Sequence, residues 1–356
     1  MSRKQLTVKE SFDSSSSHLP IIGICGFSGA GKTTVIEAIL PNLLQCGLRV
    51  AVVKHDCQNV KMDRPGKDSY RFYQAGADVF LLGAEETRRI HGDKCTCLTE
   101  QLAGLACRYD LVLVEGHGKT PVAKLWMLSE GESQSPAYVY DVEATFSRND
   151  REESVLQYLW RWLDLSLSKT PVWGCVLIGG QSRRMGSAKH LLQRPDGRSW
   201  LECAVSRLEP YVDGVVVSGS GRVPEHLSQL TRLPDVPGVC GPLSGILAAS
   251  RWQPRVSWLL LACDMPDVTE ASIKWLLKKR RPGVWGIVPT DRQRKKLQPL
   301  LAYYDFRCGK LFEQIHSSGS WRIGDIGRDE RVVNPEIPEC FSGCWRNVNT
   351  PAELDG

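Results

Sequence analysis

Two glycine-rich segments carry residue types suited to handling phosphate. The first, Gly26-Phe27-Ser28-Gly29-Ala30-Gly31-Lys32-Thr33, satisfies G-x-x-x-x-G-K-[ST] and follows the apolar run Ile21–Cys25. Glycines let backbone N–H groups converge on phosphate oxygens, and the N-terminus of the next helix adds partial positive charge. In such a loop Lys32 reaches the β- and γ-phosphates, and the Thr33 hydroxyl binds Mg²⁺. Gly26, Ser28, Gly29, Ala30, Gly31, Lys32, Thr33 and Thr34 are therefore the expected nucleotide cradle. The bland alternative, a turn that only caps a helix, is disfavoured by the complete motif and by its strand-before, helix-after context.

The second segment, Leu177-Ile178-Gly179-Gly180-Gln181-Ser182-Arg183-Arg184-Met185-Gly186-Ser187-Ala188-Lys189, lacks the lysine-hydroxyl ending but also follows an apolar strand pattern. Its paired glycines allow close backbone approach to a triphosphate. One or both of Arg183 and Arg184, with Lys189, can stabilise charge on a leaving pyrophosphate. By itself such a loop is also what a basic surface turn looks like. A further apolar run, Ser257–Cys263, ends at Asp264-Met265-Pro266. A carboxylate at the carboxyl end of a buried strand is well placed to hold Mg²⁺ against phosphates and help orient an in-line attack. Its bland alternative is to cap the next turn.

Two other runs end in polar groups: Val50–Val53 in Lys54-His55-Asp56, and Leu111–Val114 in Glu115-Gly116-His117. Carboxyl ends of parallel strands line the ligand crevice of open α/β sheets, so Glu115 or Asp56 is a candidate neighbour of the first metal. His55 and His117 read as loop histidines rather than catalytic bases.

The elements that must hold these groups follow from the same pattern. Each loop requires a buried parallel strand before it, and the first requires a helix over Thr33–Gln45. The segment Glu152–Leu165 reads as a helix packing on the first half, Ser166–Pro171 has linker composition, and residues 1–18 form a polar tail expected to be disordered. The resulting division is 19–165, a linker over 166–171, and 172–356. A chain of 356 residues with 42% apolar residues suits two domains of α/β class. Its formal net charge of +5 favours neither nucleic acid nor small phosphorylated ligands. The basic runs Lys278–Arg281 and Arg292–Lys296 lack interleaved aromatics, so nucleic-acid binding is not expected; the second run is a candidate to overhang an anionic site. No run approaches the ~20 apolar residues of a membrane span. Thirteen scattered cysteines, with no export signal and with Cys95-Thr96-Cys97 too tight for a CxxC pair, point to reduced thiols, no zinc site and the cytoplasm.

Beyond the loop itself, Gly26–Thr34, Val53-Lys54-His55, Asp63–Tyr70 with its Pro65-Gly66-Lys67-Asp68-Ser69 core, Gln74–Ala77 and Leu113–Gly116 occur in the order found in MobB. The first half, about residues 20–165, thus resembles this adaptor family of P-loop GTP-binding proteins in molybdopterin-guanine dinucleotide biosynthesis. The resemblance implies GTP binding, weak GTPase activity and a delivery role. Cys57 departs from the family, which often carries histidine there.

The second half, about residues 172–356, resembles MobA, the molybdenum cofactor guanylyltransferase family of Rossmann-like fold. The resemblance rests on Leu177–Lys189, Gly241-Pro242-Leu243-Ser244-Gly245, Cys263-Asp264-Met265-Pro266 and Asn347-Val348-Asn349-Thr350-Pro351. It implies that Leu177, Ile178 and Gly179 contact the guanine-ribose end of GTP, that Lys189 holds the triphosphate, and that Asp235 lies beside the nucleotide. It further implies Mg²⁺ on Asp264, the pterin at Asn347 and Asn349, and an acceptor pocket lined by Gln298-Pro299-Leu300. Ala188 replaces an aspartate common before the loop lysine, and Ser218 stands where some members have asparagine. The implied reaction is transfer of GMP from Mg-GTP to molybdopterin with loss of pyrophosphate, molybdoenzyme apoproteins and other cofactor-biosynthesis proteins being possible partners. A cytidylyltransferase of the same fold, a sugar-1-phosphate nucleotidyltransferase fused to a kinase, and a non-catalytic adaptor are the rivals. Ile178-Gly179-Gly180 in place of alanine-alanine-glycine favours GTP over CTP.

Overall fold

Apolar runs become strands here because the central strands of the two large sheets are buried on both faces. In chain order the first half forms β1 (Ile21–Cys25), α1 (Lys32–Gln45), β2 (Val50–His55), α2 (Asp68–Gln74), β3 (Asp78–Leu82), α3 (Leu98–Ala106), β4 (Leu111–Glu115), β5 (Ala123–Met127), β6 (Val142–Phe146) and α4 (Arg151–Lys169). The second half forms β7 (Val172–Leu177), α5 (Trp200–Leu208), β8 (Gly214–Ser218), β9 (Thr231–Leu233), α6 (Pro242–Trp252), β10 (Ser257–Ala262), α7 (Glu270–Leu277), β11 (Gly286–Ile287), β12 (Thr290–Asp291), β13 (Lys296–Leu297), β14 (Leu301–Tyr304), α8 (Cys308–Ser317) and β15 (Val332–Val333). This computed structural model describes residues 18–55, 68–82, 98–147, 151–178 and 188–348. They fall into two compact units that divide between Lys169 and Thr170.

The first unit is a parallel six-stranded sheet in the order β3-β2-β4-β1-β5-β6. β1 therefore lies between β4 and β5, and the loop that follows it emerges beside Glu115 at the end of β4. On one face Ile22, Ile24, Val50, Val52, Leu111, Leu113, Leu125 and Met127 pack against Val35, Ile36, Ile39, Leu40 and Leu43 of α1. Alternate strand residues meet a helical i, i+4 stripe, as the two periodicities require. Val155, Leu159, Trp162 and Leu163 of α4 join the same core, so this helix belongs to the first unit.

That helix also corrects the expected linker. Ser166–Lys169 are helical, and only Thr170 and Pro171 lie between α4 and β7. Ser166 is buried, and the Ser168 hydroxyl donates 2.7 Å to the Leu165 carbonyl, so these serines are absorbed by the helix rather than breaking it. Pro171 ends it, because the residue before a proline is pushed out of the helical region.

The second unit is a mixed seven-stranded sheet, β15-β11-β14-β10-β7-β8-β9, in which β14 runs antiparallel to both β10 and β11. A separate antiparallel pair joins β12 to β13. Along β10, Leu259 and Leu261 enter one core while Trp258 and Leu260 enter the other. All six residues of the strand are buried, which is why the sequence shows a continuous apolar run rather than alternation. Among the described residues no helix is long and apolar enough to cross a membrane.

Leu159 is fully buried between α4 and the sheet. Leu159→Ala should weaken the first unit by about 2–5 kcal/mol. Native-state hydrogen exchange will show this as reduced protection of β1 and β4 amides, with β7 and β10 amides unchanged.

Candidate functional sites

At the end of β1 the backbone itself demands glycine. Gly26 has φ +152°, and a Cβ there would lie 2.6 Å from the Met127 carbonyl oxygen of β5. Gly31, at φ +80°, starts α1 in the left-handed region. Lys32 Nζ folds over this loop, donating to the carbonyls of Gly26 at 3.1 Å and Phe27 at 2.8 Å. Thr33 Oγ1 donates to Glu115 Oε1 at 2.5 Å, and Lys54 Nζ lies 3.5 Å from Glu115 Oε2.

Of the two acidic candidates, Glu115 is thus brought to Thr33, whereas Asp56 lies outside the described residues. Glu115 is buried, and its Oε2 accepts no hydrogen bond among the described residues. A threonine hydroxyl beside such a carboxylate fits a hard divalent cation whose remaining ligands are phosphate oxygens and water. His117 has φ +58° and its Nδ1 is 2.7 Å from the Thr120 hydroxyl, a local turn. The side chain of His55 lies outside the described residues.

In the second unit Leu177 ends β7, and the Ile178 amide donates 2.9 Å to the Ser218 carbonyl at the end of β8. Gly179, Gly180, Arg183 and Arg184 lie outside the described residues. Lys189 opens a single 3-10 turn, and its Nζ donates to Asp264 Oδ2 at 3.2 Å and to the Val348 carbonyl at 3.0 Å. The Val348 amide in turn donates 2.9 Å to the Asp264 carbonyl. Lys189 and Asp264, 75 residues apart, and the segment containing Asn347 are thereby one cluster.

Asp264 Oδ1 is buried and accepts no hydrogen bond among the described residues. That orphaned oxygen, at the carboxyl end of β10, again fits a hard cation completed by phosphate oxygens. Among the described residues no group of three or more His, Cys, Asp or Glu side chains gathers to hold a metal, so each site offers its carboxylate singly. Asn349 lies outside the described residues. Asp235 is not in the cluster: it is exposed on the loop after β9, three strands across the sheet from β10. Gln298-Pro299-Leu300 leads into β14, and the Leu300 carbonyl accepts from the Ala262 amide at 2.9 Å, which sets the segment beside Asp264.

Ser218 serves packing. Its hydroxyl donates 3.3 Å to the Gly245 carbonyl, and a Cβ on Gly245 would lie 2.4 Å from Leu177 Cδ2. The glycine of the Gly241–Gly245 segment therefore lets α6 approach the end of β7. Four polar contacts escaped the sequence reading: Arg346 Nε to Asp267 Oδ2 at 2.8 Å, Arg194 to the Pro266 carbonyl at 2.8 Å, and the two Val348 backbone contacts. Their signal was adjacency alone, since Asp267 and Arg346 flank motifs without belonging to them.

The two folds and sites define a P-loop nucleotide-binding unit followed by a nucleotidyltransferase. The family described as Molybdopterin guanine dinucleotide synthesis protein B matches residues 21–145, and the MobA-like NTP transferase domain matches residues 174–329. The chain is 31% identical over 163 residues to the molybdopterin-guanine dinucleotide biosynthesis adapter protein of Haemophilus influenzae, spanning 41% of this chain and 90% of that one. It is 31% identical over 187 residues to a probable molybdenum cofactor guanylyltransferase of Pelotomaculum thermopropionicum, spanning 51% and 89%. A molybdenum cofactor biosynthesis bifunctional protein of Synechocystis sp. is 30% identical over 155 residues, 43% of this chain and 44% of that one. The chain belongs to the molybdopterin-guanine dinucleotide biosynthesis adapter family in its first half and to the molybdenum cofactor guanylyltransferase family in its second.

Two cysteines sit next to these sites without taking part in them. Burial pushes the Cys25 thiol up to about 11, and it donates to the Gly116 carbonyl. Burial, and then the Asp264 carboxylate, push Cys263 up to about 12. A higher pKa keeps a thiol protonated, so only about one part in a thousand or less of either is thiolate at pH 8. Iodoacetamide at that pH should label exposed Cys46, Cys240 and Cys340 and spare Cys25 and Cys263, as read by peptide mass spectrometry.

Proposed function

We propose that the second unit transfers the guanylyl group of GTP to the phosphate of molybdopterin, releasing pyrophosphate, and that the first unit binds GTP to assist the reaction or deliver its product. The observation that carries this reading is the contact of Lys189 with Asp264 and Val348 at the carboxyl end of β7 and β10, in a chain of guanylyltransferase family. A phosphate-gripping cation, a metal-suited carboxylate and the proposed acceptor segment meet at one point.

A molybdopterin phosphate oxygen forms the new bond to the α-phosphorus of GTP as the bond to the β-phosphate oxygen breaks. The electron pair departs on pyrophosphate. No side-chain nucleophile is required, because the attacking phosphate is already ionised at neutral pH. Catalysis comes from alignment and charge neutralisation. Lys189 exchanges its carboxylate and carbonyl partners for phosphate oxygens, with Arg183 and Arg184 proposed on the leaving pyrophosphate. Leu177, Ile178, Gly179, Gly180 and Asp235 are proposed for the nucleoside side, and Asn347 and Asn349 for the pterin. Mg²⁺ would be held by Asp264 here and by Thr33 with Glu115 in the first unit, where it supplies neutralisation of phosphate charge.

In the first unit Gly26–Thr34 holds GTP and hydrolyses it slowly. Joining both units in one chain raises the effective concentration of each for the other. The setting is the cytoplasm, with molybdoenzyme apoproteins as recipients and other cofactor-biosynthesis proteins as suppliers.

The test is pyrophosphate release by purified protein with molybdopterin and Mg²⁺, comparing GTP, CTP and ATP. Release with GTP alone supports the reading; release with CTP shifts it to cytidylyl transfer, and none with any nucleotide leaves the adaptor. Asp264→Ala should lower transfer by about 10²–10³-fold or more with circular dichroism unchanged. Lys32→Ala should remove one of two bound nucleotides in equilibrium dialysis yet keep transfer in vitro near wild type. Loss of transfer as complete as with Asp264→Ala would refute the separation of roles.

A further inference from the structure

The segment Arg346–Val348, which opens the Asn347-Val348-Asn349 motif, is pinned to the loop after β10 at two points. Arg346, extended at φ −73° and ψ 123°, donates from Nε to Asp267 Oδ2 at 2.8 Å. Two residues on, the Val348 amide donates to the Asp264 carbonyl at 2.9 Å, while the Val348 carbonyl accepts from Lys189 at 3.0 Å. Asn347 is held between these anchors. From the other side Arg194 donates to the Pro266 carbonyl at 2.8 Å, so the loop 264–267 is gripped along its length.

The Arg346–Asp267 pair is 39% and 38% exposed. A half-exposed ion pair adds little to fold stability. Its geometric effect is larger, because it fixes the offset of Asn347 from the Lys189–Asp264 pair, where the α-phosphate must lie. Of the nucleoside contacts proposed above, Leu177, Ile178 and Asp235 fall on the β7–β8–β9 side of that pair. An incoming acceptor must therefore arrive from the β14 side, where residues 298–300 and 346–348 converge.

We propose that Arg346, acting through Asp267, is a positioning residue for the anionic acceptor; this rests on the guanylyl-transfer reading. The pair fixes where the acceptor phosphate sits relative to the α-phosphorus and does not bind the nucleotide. Arg346→Ala and Asp267→Ala should each raise the KM for molybdopterin about tenfold while the KM for GTP stays within about twofold. Because both changes break the same contact, the loss in the double variant should be smaller than the product of the two single losses. Arg346→Lys should recover most of the loss, and thermal unfolding should be near wild type in all four.

An unchanged molybdopterin KM, a GTP KM that rises in step, or losses that multiply in the double variant would overturn the assignment. Molybdopterin binding, measured by equilibrium dialysis without GTP, keeps the two readings apart. If the wild-type chain releases no pyrophosphate, guanylyl transfer fails; a molybdopterin Kd about tenfold weaker in Arg346→Ala would still support the positioning role, and an unchanged Kd would refute it.

Discussion

Lys189 carries its ammonium to a point where the Asp264 carboxylate and the Val348 carbonyl both accept from it, at 3.2 and 3.0 Å. These partners lie 75 and 159 residues further along the chain. The lysine and aspartate side chains are 17% and 19% exposed, so the attraction between them is less screened than on an open surface. Much of the second unit serves to make this meeting possible. β7 and β10 lie side by side and parallel, which delivers the chain before Lys189 and the chain before Asp264 to the same edge of the sheet. Burial of both faces of β10 fixes where that strand ends, and hence where the carboxylate emerges.

The first unit brings a lysine, a carboxylate and a glycine-rich loop together by other means. Its loop is shaped by backbone conformations that only glycine adopts easily, and its lysine lies over the loop that precedes it. The carboxylate comes from the neighbouring strand β4 and is bonded to Thr33 rather than to the lysine. In both units the acidic group ends a buried parallel strand adjacent to the one that feeds the phosphate loop. The fold places a charge at the one edge where buried strands meet water.

What the sequence made legible follows from this. Strands covered on both faces write themselves as apolar runs, so β1, β4, β7 and β10 could be read to within three residues; the G-x-x-x-x-G-K-[ST] loop offered Lys32 and Thr33 as candidates, and the polar strand ends offered Glu115 and Asp264. The helical state of Ser166–Lys169 was hidden because serine content resembles a linker until a buried stripe from Leu159 to Ser166 is seen to continue through it. The reversed direction of β14 was also illegible, since pairing direction depends on partners some forty residues away. Glu115 could not be separated from Asp56 without knowing that β4 adjoins β1. Arg346 and Asp267 stand 79 residues apart and each looks like an ordinary surface charge.

The contact between Ser218, Gly245 and the tip of Leu177 bears on how this family can change over evolutionary time. With the serine hydroxyl on the Gly245 carbonyl and the glycine pressed against leucine, a side chain added at 245 requires a neighbour to give way. A methyl at 245 would have to displace the side-chain tip of the leucine that closes β7. Substitutions at these sites should therefore be epistatic, accepted in one sequence background and rejected in another. In an alignment of relatives the three columns should vary together, although they lie far apart in the chain.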